Sequence, residues 1–304
     1  MGTRRSALAR AQSRWVVEEM RRQNPGLEVE EVLIRTTGDK LGDRPLGPEG
    51  GKGLFVKEVE EALLAGSVDF AVHSLKDLPA ELPPGLSICA VPPREDPRDA
   101  LVSRDGLSLD ELPPGARVGT SSLRRQALLL RARPDLKVVP LRGNLDTRLR
   151  KLRDGEIEAI VVALAGLRRL GAEAEWVLPL DEEIFLPAMG QGALALEARE
   201  GDGLVRSLVE TLDHESSRRE ALAERAFMAA LEGSCRVPAA GRAVVRGEHL
   251  RMRGMVATPD GRRAVEEALE GPAREAEALG AELGRRVLGA GGCAILEALG
   301  EKGV

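Results

Sequence analysis

A nine-residue pattern occurs twice in this chain. Leu64-Ala-Gly-Ser-Val-Asp-Phe-Ala-Val72 is matched 89 residues later by Arg153-Asp-Gly-Glu-Ile-Glu-Ala-Ile-Val161. In both copies a helical pattern ends, a glycine follows, and an acid precedes an apolar run. Glycine is the usual residue directly after a helix, and a continuous apolar run is typical of a strand that is buried on both faces. The repeat therefore predicts two similar α/β lobes with a cleft between them.

The length and the proline pattern indicate how the lobes are connected. A chain of 304 residues is long enough for two or three domains, because a single core seldom grows beyond roughly 250–300 residues. The proline-dense passage Pro92–Pro97 predicts a crossing between lobes. We predict that lobe 1 comprises residues 1–92 and 193–212, that lobe 2 comprises residues 98–187, and that a C-terminal domain comprises residues 214–304.

Hydrophobic periodicity predicts a different architecture for the last third. Two helices precede three strands joined by tight turns, and a final helix closes the chain, which describes a small α+β domain with a three-stranded antiparallel sheet. The expected elements are helices over Gly203–Thr211 and His214–Leu231, strands over Ala243–Arg246, Leu250–Ala257 and Arg262–Leu269, and a helix from Pro272 to about Leu288 with Pro272 as its first residue. In lobe 1 the pattern predicts helices over Ser6–Gln23 and Leu54–Leu64 and strands over Glu28–Arg35 and Phe70–His73.

Several classes of protein are disfavoured by composition. The longest apolar run, Ala159–Leu167, is far shorter than the roughly 20 residues that a membrane helix needs, and no signal peptide opens the chain, so we expect a cytoplasmic protein. The three cysteines are odd in number and far apart, which fits neither a disulfide framework nor a zinc site. The three histidines are equally scattered, so we expect no metal.

Between Arg117 and Arg153 the chain, which is acidic overall, becomes strongly basic. Nine arginines and two lysines face only two aspartates here, a formal charge of +9, whereas the whole chain carries −5. Arginine presents a rigid fork of donors that fits a carboxylate or a phosphate, so this concentration suggests a bound polyanion. The alternative is a pair of helices whose charged faces are solvated.

The positions of the arginines favour the polyanion. Gly119-Thr-Ser-Ser-Leu-Arg-Arg-Gln126 follows a predicted strand end, and its hydroxyl residues suit the cap of the next helix. Helix N-termini bind anions, and Arg124 and Arg125, which point about 100° apart, are expected to grip two different anionic groups. Leu141-Arg-Gly-Asn144 repeats the arrangement, with Arg148 one turn further on. The arginines thus collect where the two-lobe fold places its cleft.

Nucleic acid and nucleotide phosphates fit this chain poorly. Only 2% of the residues are aromatic and the net charge is negative, so stacking platforms and a broad basic footprint are missing. The segment Gly47–Gly53 does not match a phosphate-binding loop, because Lys52 is followed by glycine. Small carboxylates or phosphates remain as ligands. The alternatives to an enzyme are a solute-binding protein with two lobes, which normally carries an export signal, and a DNA-binding regulator, whose helix-turn-helix we do not find.

Two residues are candidates for chemistry. Asp77, together with Lys76, lies at the exit of the strand predicted over Phe70–His73. An aspartate that faces a basic cleft stays ionised and can stabilise a developing cation, although an aspartate here can equally cap a turn. Cys235 lies in the loop Gly233–Pro238, where an adjacent arginine can lower the pKa of a thiol, whereas a lone cysteine is more often inert.

Taken together, several long segments resemble the porphobilinogen deaminase (hydroxymethylbilane synthase) family of tetrapyrrole biosynthesis, and they follow the family order from residue 2 to about residue 240. The matching segments are Gly2-Thr-Arg-Arg-Ser-Ala-Leu-Ala9, Gly50-Gly-Lys-Gly-Leu-Phe-Val-Lys-Glu58, Ala71-Val-His-Ser-Leu-Lys-Asp77, Arg94-Glu-Asp-Pro-Arg-Asp99, Gly119–Gln126, Leu141–Asn144, Leu186-Pro-Ala-Met-Gly-Gln-Gly192 and Leu231-Glu-Gly-Ser-Cys-Arg-Val-Pro238.

The resemblance implies two lobes like those of periplasmic binding proteins and a small third domain with a cysteine loop. It implies that Cys235 bears a dipyrromethane cofactor through a thioether, built from two substrate units. Asp77 would be the catalytic carboxylate, bonding to pyrrole N–H groups and stabilising the cationic azafulvene-like intermediates formed as ammonia leaves. Four porphobilinogen molecules would be joined before water releases the linear tetrapyrrole hydroxymethylbilane. The family also suggests a monomer.

By the same resemblance, a set of residues binds the cofactor and the substrate, and Ser6 and the arginines of this set bind their acetate and propionate groups. The full set is Arg4, Ser6, Lys52, Phe55, Ser74, Lys76, Thr120, Ser122, Arg124, Arg125, Arg142, Arg148, Arg169 and Gln191.

Overall fold

A computed structural model describes residues 1–41, 53–172, 176–231 and 238–300. Two of the predicted site residues, Lys52 and Cys235, lie outside these ranges. Within the described ranges, no helix is both long enough and apolar enough to cross a membrane.

Lobe 1 is built on a mixed five-stranded sheet, counted over the described residues. Its strands are β1 (Gly2–Arg4), β2 (Val32–Ile34), β3 (Phe70–Ser74), β4 (Leu86–Ala90) and β10 (Leu194–Arg199), in the order β2-β1-β3-β10-β4. Strands β1, β2 and β3 are parallel, and β10 runs antiparallel to β3 and β4. Its helices are α1 (Ala7–Gln23), α2 (Thr37–Leu41), α3 (Lys57–Leu64) and α7 (Gly203–Glu210). Strand β2 is shorter than the alternation over Glu28–Arg35 predicts, since it pairs only along the three residues of β1.

Lobe 2 repeats this sheet strand for strand. Its strands are β5 (Asp99–Ser103), β6 (Arg117–Gly119), β7 (Lys137–Val139), β8 (Ala159–Ala163) and β9 (Val177–Pro179), in the order β7-β6-β8-β5-β9. Its helices are α4 (Leu123–Ala132), α5 (Leu145–Arg153) and α6 (Leu164–Leu170). Both β8 and Gly155 lie 89 residues after their counterparts β3 and Gly66. The two glycines have φ of 70° and 75°, the left-handed backbone that ends a helix. The repeat seen in the sequence is therefore a structural repeat.

In each lobe the antiparallel inner strand enters from the other lobe. Strand β5 follows the crossing at residues 91–98, and β10 follows a second crossing at residues 186–193. The crossings touch, because the amide of Glu95 donates to the carbonyl of Gly192 at 3.2 Å. We propose domains with the boundaries 1–92 plus 193–212, 98–187 and 214–304, since these ranges take up the three sheets.

The C-terminal domain covers one face of an antiparallel sheet with helices. The sheet contains β11 (Ala239–Arg246), β12 (His249–Ala257) and β13 (Ala264–Pro272), and the helices are α8 (Glu215–Ala230), α9 (Ala276–Val287) and α10 (Cys293–Gly300). Pro272 ends β13 opposite His249 and is followed by a short 3-10 turn, so it does not open the long helix as its position in the sequence suggested. The end of an edge strand tolerates a residue without an N–H group. The predicted fold class, two α/β lobes with a cleft plus a small α+β domain, is confirmed.

Close packing of α8 on α9 holds the C-terminal domain together. Gly280 in α9 is buried against the backbone of Ala223 in α8, and a Cβ at position 280 would overlap the carbonyl oxygen of Ala223. Leu283 and Phe227 fill the layer beside this contact and are fully buried. The two helix backbones can approach this closely only while residue 280 has no side chain.

We expect Gly280→Ala to lower the free energy of unfolding by about 3 kcal/mol, the upper end of the usual cost of overpacking, because the obstructing atom is backbone. Urea unfolding of the purified chain measures this change. Gly289→Ala is the matched control in the same domain, since a Cβ there meets open space, and it should leave stability within about 0.5 kcal/mol of the parent. Equal stability of the two variants would contradict the packing described here.

Candidate active site

A cavity of about 250 Å³ lies between the two lobes. Lobe 1 contributes residues from the ends of β1 and β3 and from the start of α1, and lobe 2 contributes residues from the starts of α5 and α6. The lining residues are Arg4, Ser6, Ala7, Leu8, Phe55, Lys76, Asp77, Arg125, Gly143, Asn144, Leu145, Asp146, Arg148, Val162, Ala163, Gly166 and Leu170. The cleft expected from the internal repeat is therefore present, and it contains many of the residues singled out from the sequence.

The N-termini of α1, α5 and α6 all form part of the cavity wall. Ser6 caps α1 by accepting the amide of Ala9, while Asn144 and Ala163 precede α5 and α6 without a side-chain cap. The first amides of a helix carry unsatisfied donors and a partial positive charge. The wall is therefore suited to negatively charged groups even before its side chains are considered.

A buried carboxylate pairs with two arginines beside the cavity. Asp99, at the start of β5, is fully buried, and its oxygens lie 2.7 Å from Nη1 of Arg124 and 2.7 Å from Nη2 of Arg125. Burial disfavours the charged form, but the two guanidinium groups outweigh burial and hold the pKa of Asp99 well below its usual range. Asp99 is thus ionised at neutral pH and fixes both arginine side chains.

Gln191 connects this buried pair to Lys76. Its amide nitrogen donates to Asp99 at 3.1 Å and to the carbonyl of Pro97 at 2.7 Å, and its amide oxygen accepts from Nζ of Lys76 at 3.3 Å. Burial and the nearby charge of Arg125 lower the pKa of Lys76 to about 8. An ammonium in such a site gains from any carboxylate that enters the cavity, because a carboxylate replaces lost hydration and raises its pKa again.

Arg4 reaches the cavity from the end of β1. One of its terminal nitrogens donates to Asp39 at 2.7 Å, and the guanidinium lies 4.3 Å from the ring centre of Phe55. Burial opposes ionisation of Asp39, but Arg4 outweighs it and lowers the pKa of that carboxyl. The Nε atom of Arg4 is buried and has no hydrogen-bond partner among the described residues.

Asp77 stands at the mouth of lobe 1, where β3 ends. A single 3-10 turn, Leu75–Asp77, follows the strand and turns Lys76 and Asp77 into the cavity. Ser74, the last residue of β3, is held by Gln12 of α1 through a hydrogen bond of 2.9 Å. The carboxylate thus projects from a short turn whose preceding residue is fixed.

Of five other predicted residues, Arg148 lines the cavity, whereas Thr120, Ser122, Arg142 and Arg169 lie outside its lining. Thr120 is buried and accepts the amide of Ser122, which caps α4 by accepting the amide of Arg125. Arg142 precedes Gly143 in the cavity wall, and Arg148 donates from Nε to the carbonyl of Gly143 at 2.9 Å. Arg169 donates to Gly192 at 2.7 Å, and burial lowers its pKa to about 10.

The structure changes the interpretation of the adjacent arginines. Arg124 and Arg125 were expected to grip two different anions because their side chains leave the helix about 100° apart. Both instead bend toward the same internal anion, Asp99, and Arg124 also donates to the carbonyl of Leu186 at 2.8 Å. Both side chains are nearly buried, and a buried cation needs an opposite charge.

Sequence reasoning missed two carboxylates that hold the arginines. Asp99 belongs to the segment Arg94–Asp99, which was noted only as a motif, and Asp39 was not noted at all. A signal for Asp99 was available, since two consecutive arginines at the start of an otherwise apolar helix require an acid nearby in the fold. For Asp39 the sequence offers no comparable signal, because its contact with Arg4 joins two separate elements of lobe 1.

Comparison with known proteins agrees with this geometry. A family model described as "Porphobilinogen deaminase, dipyromethane cofactor binding domain" matches residues 1–207, and a second, "Porphobilinogen deaminase, C-terminal domain", matches residues 218–289. The chain belongs to the porphobilinogen deaminase family. The family expected from the sequence motifs is thereby confirmed.

Individual relatives match this family member over almost its whole length. A porphobilinogen deaminase of Syntrophotalea carbinolica is 51% identical over 98% of this chain and 95% of its own. One from Sorangium cellulosum is 54% identical over 93% of this chain and 96% of its own. Among solved structures, the periplasmic VFT2 domain of Bordetella pertussis BvgS covers 66% of this chain and 75% of its own, with 18% identity and a TM-score of 0.38, and is too distant to bear on function.

Asp99→Asn should lower the free energy of unfolding at pH 7 by about 3 kcal/mol or more, because two buried guanidinium groups lose their counter-charge. The folded pKa of Asp99 is depressed, so its stabilisation is complete above the unfolded pKa, about 4, and is lost as the pH falls through the folded value. The variant should therefore lose less stability than the parent on acidification below about pH 4, which urea titrations across this range measure.

Asp105→Asn serves as the control for this experiment. Asp105 is exposed and lies 3.6 Å from the exposed Arg104, so its removal should change stability by less than about 1 kcal/mol at any pH. If Asp99→Asn matched this control at pH 7, the buried pairs would not contribute to stability as described.

Proposed function

We propose that this protein condenses four porphobilinogen molecules into the linear tetrapyrrole hydroxymethylbilane and releases ammonia at each step, on a dipyrromethane primer attached to Cys235. The observation that carries the proposal is the cavity itself. It presents the carboxylate of Asp77 among cationic side chains and helix N-termini from both lobes, so the site offers a carboxylate for a developing cation and many donors for carboxylates.

The residues present fit a cofactor that carries several carboxylates. Arg4 has a buried Nε without a partner among the described residues, and Lys76 has a pKa lowered by its surroundings, so both gain when a carboxylate binds. Arg4, Ser6, Lys76, Arg125 and Arg148 line the cavity and would hold such a group. When bound, it supplies a tethered pyrrole end to which the substrate is joined.

In this proposal Asp77 acts on the substrate directly. Its carboxylate accepts hydrogen bonds from pyrrole N–H groups and stabilises the positive charge that develops as the aminomethyl group loses ammonia. A carboxylate fixed in a water-poor cleft stabilises such charge more strongly than water does. The 3-10 turn keeps Asp77 at the end of β3, so its carboxylate needs little reorientation during the reaction.

The cations bind the acetate and propionate groups that each added unit brings. Each charge-assisted hydrogen bond contributes about 1.5–3 kcal/mol, and less where water enters. Arg125 and Lys76 lie beside Asp77 in the wall. Gln191 accepts a hydrogen bond from Arg125, and Arg124 shares the buried Asp99 with Arg125. We assign to Thr120, Ser122, Ser74, Phe55, Arg142 and Arg169 supporting roles around these groups, and we retain Lys52 and Cys235 by family resemblance alone.

We further propose a monomer that works in the cytoplasm. The family resemblance supports the monomer. Cys89 and Cys293 form no disulfide in the described part of the chain, as is usual in a reducing compartment. Light scattering of the purified protein at several concentrations tests the oligomeric state.

The intact mass of the purified chain should exceed the mass of the polypeptide by two porphobilinogen units minus two molecules of ammonia, and Cys235→Ser should abolish the increase. Cys293→Ser, which changes an exposed thiol outside the cavity, is the matched control and should keep the adduct. Because a preparation can lack the primer, each sample is first incubated with porphobilinogen. An unmodified parent after this treatment would favour a solute-binding protein over the deaminase.

Asp77→Asn should lower kcat by about 100-fold or more while the chain stays folded, because the amide keeps the size of the side chain but removes the charge that stabilises the transition state. Consumption of porphobilinogen measures kcat, and circular dichroism measures folding. Asp146→Asn changes the other acid in the cavity wall and should have a much smaller effect. Turnover near that of the parent in Asp77→Asn would remove Asp77 from the mechanism.

A further inference from the structure

A group of buried charges lies behind the turn that carries Asp77, outside the cavity lining. His73 of β3 and Glu197 of β10 are almost fully buried, and Nε2 of His73 lies 3.0 Å from Oε2 of Glu197. Glu60 of α3 is also buried and is close enough for the charge of Glu197 to act on it; burial and that charge raise the pKa of Glu60. None of these residues has a role in the proposed reaction.

The fourth member of the group, Arg225, comes from the C-terminal domain. It projects from α8 into lobe 1, where Nη2 donates to the carbonyl of Ala80 at 2.7 Å and Nη1 is buried. Burial lowers the pKa of the guanidinium, while the charge of Glu197 acts in the opposite direction. Arg225 is therefore a half-buried cation close to Glu197 that binds the backbone three residues after Asp77.

The two contacts enclose the catalytic segment. His73, four residues before Asp77, lies beside Glu197, and the carbonyl of Ala80, three residues after it, accepts a hydrogen bond from Arg225. Between them Gln12 donates to Ser74 at 2.9 Å, the amide of Leu75 donates to the carbonyl of Ala193 at 3.0 Å, and Lys76 donates to Gln191. These contacts fix the residues before Asp77, and the contact of Arg225 fixes the backbone after it. A displacement of Arg225 would therefore displace Asp77, because Ala80 and Asp77 are only three residues apart.

Helix α8, which carries Arg225, also contacts the first crossing between the lobes. Glu224, the neighbour of Arg225, binds both terminal nitrogens of Arg94 in the first crossing, at 2.7 Å and 3.0 Å. Helix α8 ends at Ala230, five residues before Cys235. Helix α8 thus contacts the segment of Asp77 and ends close to Cys235 in the sequence.

We propose that Arg225 is a positioning residue that sets the Asp77 turn relative to the domain carrying Cys235. This inference rests on the proposed role of Asp77 and adds a residue that touches neither substrate nor cofactor. Each addition needs the primer end and Asp77 in register, and a misplacement of about 1 Å can cost on the order of 100-fold in rate. A residue with only a structural role would change stability and leave the turnover of the folded enzyme unchanged.

The experiment compares Arg225→Met and Arg225→Lys with the parent, using full-length protein loaded with cofactor and checked by intact mass. Arg225→Met should lower kcat per loaded molecule by about 10- to 100-fold with KM within about twofold, because binding groups in the cavity are untouched. Arg225→Lys keeps the charge near Glu197 but loses the fork that reaches Ala80. Its kcat should lie between those of the parent and Arg225→Met.

Arg219→Met is the matched control, since Arg219 lies on the same helix and pairs with Glu215 of that helix. It should keep the kcat of the parent. A parental kcat in loaded Arg225→Met would overturn the inference, as would a fall that only mirrors a loss of folded or loaded protein. If Arg225→Met does not fold, Arg225→Lys decides: a kcat at least about threefold below the parent supports positioning, and a parental kcat refutes it.

Measuring Asp77→Asn in parallel distinguishes a failure of the role proposed for Asp77 from a failure of the role proposed for Arg225. If Asp77→Asn is inactive while Arg225→Met and Arg225→Lys turn over normally, the deaminase mechanism stands and the positioning role falls. If Asp77→Asn remains active, the role of Asp77 fails first, and any effect of Arg225 requires another cause.

Discussion

The buried carboxylate of Asp99 is the interaction on which the rest of the site depends. Two guanidinium groups cannot be taken out of water side by side without an opposite charge, and Asp99 supplies it for Arg124 and Arg125. The pairing also joins the start of β5, the start of α4 and, through Gln191, the second crossing between the lobes. With these elements fixed, Arg125 and Lys76 stay at the cavity wall, where charge is useful for binding, rather than turning outward to solvent.

Strand β3 of lobe 1 and its equivalent β8 of lobe 2 both end at the cavity, and different residues follow the two strands. Position 77 in lobe 1 corresponds to position 166 in lobe 2, by the same offset of 89 residues, and both line the cavity. Lobe 1 has an aspartate there and lobe 2 has a glycine. The glycine leaves the N-terminal end of α6 open toward the cavity, so at this pair of equivalent positions lobe 1 presents a carboxylate and lobe 2 presents helix N–H donors.

Much of the fold and part of the site could be predicted from the sequence. The repeat favoured two similar lobes, because a glycine after a helix and a strand buried on both faces recur with the same spacing, and the basic stretch indicated a cleft. Asp77, Arg4 and Arg148, which the motifs singled out, line one cavity. What could not be predicted were contacts that depend on how distant elements pack: Asp99 under two arginines, Asp39 on Arg4, and Arg225 on the backbone of Ala80. Each of these contacts joins elements that are separate in the sequence, and no local sequence pattern shows that they are close in the fold.

The exchange of strands between the lobes has a consequence for how the protein is made. Lobe 2 is continuous in sequence, so it can fold as soon as residue 187 has been synthesised. Lobe 1 cannot, because β10 lies between β3 and β4 in its sheet and emerges from the ribosome only after all of lobe 2. Until then the first 92 residues expose the inner edges of two strands, which are open to pairing with other chains. The central domain in the sequence is thus complete first, and the half that carries Asp77 closes around a strand that arrives more than a hundred residues later.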